Sequence, residues 1–402
     1  MGMTGRLSRL TAMGSGAGRR SAAAALARRV LERVGPDLAD SSLRPGDVMD
    51  FAALHLPVPA ARPPRGRPLR IAWVTTPPGK GSGGHTTMFR MVRALEDAGH
   101  ECVLALYDAH GSRVGERERI IREGWPWIRA AVRPVEDGLG GCDAAIATAW
   151  QTAHALARFG TNPMRRLYFI QDYEPLFYPR GTEAALAEQS YRFGFRMIAL
   201  GQMVAGHLRR EMDAPCDVVP FGCDTDTYHL TAARDRSGVV LYTVPGAARR
   251  GFLLNTMALE EFHRLHPDQP IHTYGSEHKL TFRFPVTSHG RISPTELNDL
   301  YNASRAGLAM SFTNISLVAE EMLAAGCIPV VNDTADAHAD LANEHAVWAR
   351  PNPGAVAAAL GGIIAHPDPA SRATAAAASV RRGWGPAQSA VVRIVEEEVF
   401  GP

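Results

Sequence analysis

Four stretches of this 402-residue chain carry residue types that could do chemistry. The first, Thr75-Thr-Pro-Pro-Gly-Lys-Gly-Ser-Gly-Gly-His85, follows an apolar run and leads into an amphipathic one. Small residues would therefore open a helix, whose free N–H groups and dipole can hold a phosphate or carboxylate. The second, 168–179, sets Asp172 and Glu174 among tyrosines just past a strand. Carboxylates accept from sugar hydroxyls, tyrosine rings offer flat faces to C–H groups, and either acid could act as a general base. In the third, Arg249-Arg250-Gly251 follows a strand and a Pro-Gly turn. A fixed guanidinium pair facing a cleft would neutralise a diphosphate and stabilise it as a leaving group. The fourth, 310–331, reads as strand, Ser/Thr/Asn loop, helix, glycine stop and buried strand. Its amides at 314–317 would lie at a helix N-terminus, with Glu321 about one turn further on, able to accept from a ribose diol. Each stretch alone also fits a plainer role: a glycine turn, an aromatic packing loop, a solvated arginine pair, a capped core helix.

The elements that must position these residues form two series. Strands are predicted at 69–75, 101–107, 144–148, 166–170, 197–200 and 218–219, with a helix over 85–98, and again at 239–244, 271–274, 286–289, 307–310 and 328–331. Short apolar runs alternating with amphipathic helices indicate parallel sheets covered on both faces. The fold class expected is α/β, with two Rossmann-like domains whose parallel sheets face a central cleft, a favoured ligand position off the carboxyl ends of the strands. The proline-rich stretch 57–68 cannot hold a helix or a central strand and reads as a linker. The division expected is an extension and linker over 1–68, domains over 69–230 and 231–385, and a C-terminal helix over 386–402 packing back on the first domain.

Composition narrows the class. Hydrophobic residues are 46% and charged residues 21%, which excludes wholesale disorder, and a net charge of +2 does not call for nucleic acid. Only Lys80 and Lys279 among the 43 basic residues are lysine, a skew that reads as coding bias. The five cysteines contain no C-x-x-C and read as reduced core residues, with neither a disulfide framework nor a zinc site. No apolar run is long enough to span a membrane. Residues 1–34 hold seven arginines before and after a single acid, Glu32, and fit either a frayed extension or a basic amphipathic helix on an anionic membrane surface. Residues 23–27 are too short for a signal-peptide core. The expected location is cytoplasmic, with that segment as the peripheral membrane contact.

Taken together, Gln171-Asp-Tyr-Glu-Pro175 with Phe177-Tyr-Pro179, Tyr191-Arg-Phe-Gly194, Val219-Pro-Phe-Gly-Cys-Asp224 and Thr313-Asn-Ile-Ser-Leu-Val318 with Glu321-Met322 resemble the GT-B glycosyltransferases of family 4. Within them the chain resembles the rhamnan-type enzymes of bacterial polysaccharide assembly, over 69–384. The resemblance implies metal-independent, cofactor-free transfer of a sugar such as rhamnose from a dTDP-, UDP- or GDP-sugar to a glycan or lipid-linked acceptor, with the donor on the second domain. By that carry-over Gly83 and Gly84 approach the donor, and Arg249 and Arg250 hold its diphosphate. Tyr274, Gly275 and Ser276 border the base, Ser316 and Leu317 give backbone donors, and Glu321 binds the ribose. Tyr173 and Tyr178 lie on the acceptor side.

Three positions depart from the family pattern. Thr313 stands where a glutamate is usual, leaving Thr313 and Asn314 to meet the donor sugar. Val244-Pro245 replaces a basic residue, and Gln171 replaces a histidine. Asp172, Glu174 and His85 are the candidates for the base, and stereochemistry stays open. Two other readings compete. Gly79, Gly81 and Gly84 fit G-x-G-x-x-G, with Asp108 where a ribose-binding acid would stand in an NAD(P) oxidoreductase, although Pro77-Pro78 delay the glycines and the motif ignores 313–321. The three departures also suit a GT-B protein that binds without catalysing.

Overall fold

The computed structural model describes residues 42–79, 81–111, 114–231, 235–276, 278, 280–315, 317–380 and 383–401. The basic segment 1–34 and Ser316 lie outside them. Of these, residues 42–46 and 109–111 fall in a small unit of their own, and everything below concerns the described residues of the other, within 47–108 and 112–402.

The first series of apolar runs builds a seven-stranded sheet from β1 (Arg70–Thr75), β2 (Glu101–Leu106), β3 (Ala131–Pro134), β4 (Ala144–Ala147), β5 (Arg165–Ile170), β6 (Arg196–Leu200) and β7 (Cys216–Val219). The order is β3-β2-β1-β4-β5-β6-β7, every pair parallel. Between the strands run α1 (Gly83–Asp97), α2 (Val114–Gly124), α3 (Trp150–Phe159), α4 (Thr182–Ser190) and α5 (Gln202–Met212). The second sheet holds β8 (Val239–Tyr242), β9 (Ile271–Tyr274), β10 (Thr287–Ser288), β11 (Ala306–Leu308), β12 (Ile328–Asn332) and β13 (Val347–Ala349). Its order, β10-β9-β8-β11-β12-β13, is again all parallel. Its helices are α6 (Phe252–Leu265), α7 (Pro294–Ala303), α8 (Leu317–Ala324), α9 (Ala335–Asp340), α10 (Pro353–Ile364) and α11 (Pro369–Ser379), followed by α12 (Gly385–Phe400). Edge strands β3 and β13 are absent from the sequence expectation, because each is short and only partly covered, so neither shows the unbroken apolar run of a buried strand.

Central strands are dry on both faces: in β1, Ile71, Ala72, Trp73 and Val74 have no exposure. Helix α1 presses Met88, Met91, Val92 and Leu95 onto this sheet, and Ser82 caps it, its hydroxyl accepting from His85 N–H. The chain crosses between domains twice, after β7 and again before α12. Helix α12 belongs to the first domain's core through Ala387, Val391, Ile394, Val395 and Val399. Burying the larger of these contributes about 1.5–3 kcal/mol each, and Arg196 ties the helix down through Glu397 at 3.2 Å and Glu398 at 3.6 Å.

The two crossings touch. A Cβ added at Gly222 would lie 2.8 Å from Gly383 O and 2.9 Å from the Trp384 Cα, so only glycine lets these backbones pass. Arg90 of α1 clamps the same place, pairing with Asp224 at 2.8 Å while its guanidinium lies 5.1 Å from the Trp384 ring centroid. Gly222→Ala is expected to cost about 1–3 kcal/mol in urea unfolding, the usual penalty of overpacking. Gly362→Ala, inside α10 with nothing within 4 Å of the added carbon, should instead stabilise by about 0.5–1 kcal/mol.

Candidate active site

Strand order reverses at β1 in the first sheet and at β8 in the second. The loops after β1, β5, β8 and β11 leave the carboxyl ends of these strands, where open parallel sheets bind ligands. All four stretches singled out in the sequence begin there.

Asp172, two residues past β5, is the centre. It is only 6% exposed, yet its partners come from the other domain. The Thr313 hydroxyl donates to Oδ2 at 2.8 Å and Asn314 N–H to Oδ1 at 3.3 Å, while Asn314 Nδ2 donates to Gln171 O at 2.6 Å. Arg249 Nε lies 3.8 Å from Asp172 Oδ2, with the guanidinium 4.4 Å from the centroid of the Phe177 ring. Burial pushes the Asp172 carboxyl up, against the pull of Arg250, the Thr313 hydroxyl and Arg249.

The arginines stand in a 3-10 turn, Ala248–Arg250, which ends at Gly251. Gly251 has φ 64°, and a Cβ there would lie 3.0 Å from the Phe312 ring, so the turn into α6 calls for glycine. Arg249 O accepts from Phe312 N–H at 2.8 Å, and Arg250 Nη1 donates to Ser311 Oγ at 2.9 Å, tying the β8 and β11 loops together. Burial, then the neighbouring Arg249 charge, lowers the Arg250 pKa to about 10, which leaves it a cation at neutral pH. Tyr242, Arg250, Asn255, Met310 and Val318 line a small recess at the β8–β11 switch point. Asn255 Oδ1 in this lining, and Arg249 Nε and Asn314 Oδ1 in the loops after β8 and β11, are buried with no hydrogen-bond partner among the described residues.

The other residues expected on the donor side are spread around this core. Leu317 opens α8 and packs on the first domain's core. Burial raises Glu321 to about 7, with Arg90 opposing and Asp224 and Glu320 reinforcing the shift. Tyr274 is only 5% exposed and its hydroxyl is shared with that of Tyr301, so it packs under Tyr242, which is the ring facing the recess. Gly275 accepts no side chain here, since a Cβ would lie 2.5 Å from the Tyr242 ring, and the Ser276 hydroxyl turns back to His278 O at 3.0 Å.

On the first domain, Gly83 and Gly84 are exposed at the N-terminus of α1, and a Cβ at Gly84 would lie 3.9 Å from Gln171 Oε1. Gln171 thus faces the opening of α1, where its backbone also meets Asn314. His85 has both ring nitrogens engaged: Nε2–H donates to Thr76 O at 3.0 Å and Nδ1 faces the Ser82 hydroxyl at 2.8 Å. Burial lowers its pKa, so the ring is neutral.

Two expectations from the aromatic run are corrected. Glu174 turns away into the first domain, where Oε2 accepts from Trp150 N–H at 2.5 Å and from the Tyr168 hydroxyl at 3.3 Å. It anchors the loop and does not reach the cleft as a base. Tyr173 is 4% exposed, stacked between Tyr191 and His207, and offers no face to an acceptor. Tyr178 is half-buried, its hydroxyl accepting from Trp150 Nε1 at 3.0 Å. Ser311, Arg90 and Asn332 join these contacts from outside the sequence expectation. Only Ser311 carried a signal, its place in the polar loop after β11.

Burial raises Glu174 to about 8, well above its unfolded value. The raised pKa means that its stabilising contribution is present below about pH 4.3, the unfolded value, and lost as pH rises through the folded one. Glu174→Gln, which keeps an acceptor oxygen without the charge, should flatten the fall in Tm that the native protein shows between about pH 5 and 9. Parallel melting profiles of the two proteins would refute the assignment.

Comparison with known proteins agrees with this architecture. The WsaF N-terminal domain model matches residues 137–203 and the WsaF C-terminal domain model residues 237–361. The O-antigen biosynthesis protein RfbC of Myxococcus xanthus is 31% identical over 322 residues, 76% of this chain, which spans a quarter (25%) of that protein's length. The fold is similar to that of a glycosyltransferase from Rickettsia africae, at 14% identity and TM-score 0.58, covering 83% of this chain and 99% of the other. It is similar too to Anabaena Alr3699/HepE, solved in complex with UDP and glucose, at 15% identity and TM-score 0.57, covering 83% and 95%. None of these matches is to an oxidoreductase, and Asp108, the acid that reading relies on, pairs with Arg117 at 3.6 Å. Two all-parallel sheets with facing switch points give the chain the GT-B fold, and a WsaF domain model matches part of each half.

Proposed function

We propose that this chain transfers a deoxyhexose such as rhamnose from a nucleoside diphosphate (dTDP, UDP or GDP) to a glycan or lipid-linked acceptor in bacterial polysaccharide assembly. The O-antigen relative supports the pathway class, and a rhamnan-type transferase fits the WsaF matches. The bound UDP of the Anabaena protein supports a nucleotide-sugar donor. The observation that carries the reading is the position of Asp172: a first-domain carboxylate seated against Thr313, Asn314 and Arg249 of the second domain.

In this reading the donor diphosphate lies on Arg249 and Arg250 at the mouth of the recess, with the N-terminus of α8 adding its dipole. Glu321 takes the ribose and Tyr242, Gly275 and Ser276 border the base. The diphosphate takes over the guanidinium charge from Asp172, whose oxygens turn to the acceptor hydroxyl. As the bond from sugar C1 to the diphosphate oxygen breaks, its electron pair leaves with the nucleotide. The acceptor oxygen bonds to C1 and passes its proton to Asp172. Two fixed cations supply the leaving-group neutralisation that a metal gives elsewhere, and they need no reorganisation as charge develops. Of the three candidates for the base, Asp172 alone holds both oxygens at the interface.

Calorimetry against dTDP-, UDP- and GDP-sugars, with NAD as control, tests the donor class. Binding of one nucleotide-sugar is the expected result, and silence across the panel would overturn it. Arg250→Ala should weaken that binding by about 10-fold or more, the scale of a lost charge-assisted contact. Asp172→Asn should leave donor affinity within a few-fold and cut sugar transfer, or slow hydrolysis to water, by roughly 100-fold or more. Unchanged turnover in Asp172→Asn would remove it as the base.

A further inference from the structure

Arg250 is the end of a hydrogen-bonded series that leaves the site on its far side. Its Nη1 donates to Ser311 Oγ at 2.9 Å, and Ser311 N–H donates to Asn332 Oδ1 at 2.8 Å. Asn332, at the end of β12, has no exposure, and its Nδ2 donates to Thr334 Oγ1 at 3.1 Å. The same hydroxyl accepts from Ala337 N–H at 3.3 Å and so caps α9. Each half of the buried Asn332 amide is thus spent, one on the loop that carries the arginines' partner and one on α9.

Helix α9 is in turn the part of the second domain that grips α5 of the first, with Asp340 near enough to Asp172 to feel its charge and His207 stacked on Tyr173. The Asp340 carboxylate accepts from Gln202 N–H at 2.5 Å and Met203 N–H at 3.1 Å, capping α5 across the domain boundary. Asp336 meets His207 of α5 at 3.1 Å. Gly201, at φ 88°, leaves room for this carboxylate, since a Cβ there would lie 2.6 Å from either Asp340 oxygen. No residue of this latch touches the recess lined by Arg250.

We propose that Asn332 is a positioning residue that couples the state of the Arg250 side chain to domain closure, by holding the β11 loop and the latch helix α9 in one register. The proposal rests on the reading above, that Arg250 holds the donor diphosphate. A nucleotide that fixes Arg250 fixes Ser311 and hence the Asn332 amide, which steadies α9 and its grip on α5. Linkage makes the effect reciprocal: loosening the latch lowers nucleotide affinity by the factor that the nucleotide tightens the latch. A thermodynamic cycle tests whether these contacts couple the two ends.

The cycle uses the full chain and the tightest binder among UDP, dTDP and GDP, titrated into the native protein, Asp340→Ala, Asn332→Ala and the double variant. Asp340→Ala alone should weaken binding by about 5–20-fold, within the usual range of coupling between sites. With Asn332→Ala in place, the same latch substitution should add less than about two-fold. X-ray scattering should show the nucleotide contracting the native protein more than Asn332→Ala. Should the buried Asn332→Ala fail to fold, Thr334→Val breaks the next bond at a half-exposed position, and Thr334→Ser, which keeps the hydroxyl, should restore the coupling. An equal loss in both backgrounds, or no loss in Asp340→Ala, overturns the coupling while leaving the donor site standing. Native-like nucleotide binding by Arg250→Ala instead removes the donor site, and the proposal with it.

Discussion

The interaction on which the rest depends is the burial of one carboxylate against two guanidinium groups. Asp172 is nearly inaccessible, and a buried charge is tolerated only when it is paired and hydrogen-bonded. Its own domain supplies none of the partners described above. Thr313, Asn314, Arg249 and Arg250 all come from the other domain, so seating the domains and assembling the site are the same event. A diphosphate is the natural competitor for such an arrangement, because it offers the arginines more negative charge than a single carboxylate does.

The two parallel sheets make this convergence possible. Every strand in each delivers its carboxyl end to the same side, and loops from β1, β5, β8 and β11 therefore open toward a common space. What keeps the halves in register lies elsewhere: the Gly222 crossing with its Arg90 clamp, α12 returned to the first core, and the Asp340 cap on α5. The first is steric with an ion pair, the second is apolar burial through Val391, Ile394, Val395 and Val399, and the third is a carboxylate cap.

Much of the site was legible because its chemistry sits in compact motifs. The arginine pair, the polar loop before α8 and the glycines before α1 each occupy one strand-to-helix loop, where backbone geometry follows from local sequence. The aromatic run shows where that legibility stops. Asp172 and Glu174 are two residues apart and look equivalent, yet one crosses to the other domain and the other anchors its own loop through Trp150 and Tyr168. A 3-10 turn over Glu174–Phe177 separates their directions, and which direction meets a partner depends on chains far away in sequence. Tyr173 is buried for the same reason, its stacking partner His207 lying on α5.

By itself the sequence determined two α/β halves in tandem, the loops that would carry the chemistry and the charge type each would offer, because strand periodicity, glycine placement and side-chain chemistry are local properties. Tertiary structure alone decided which of two neighbouring acids faces the cleft. It also assigned Tyr242 rather than Tyr274 to the recess, and tied Asn332, an unremarkable residue at a strand end, to both Arg250's loop and α9. The physical reason is common to all three: a polar group's role is set by the partner that satisfies it once water is excluded, and here those partners come from distant parts of the chain.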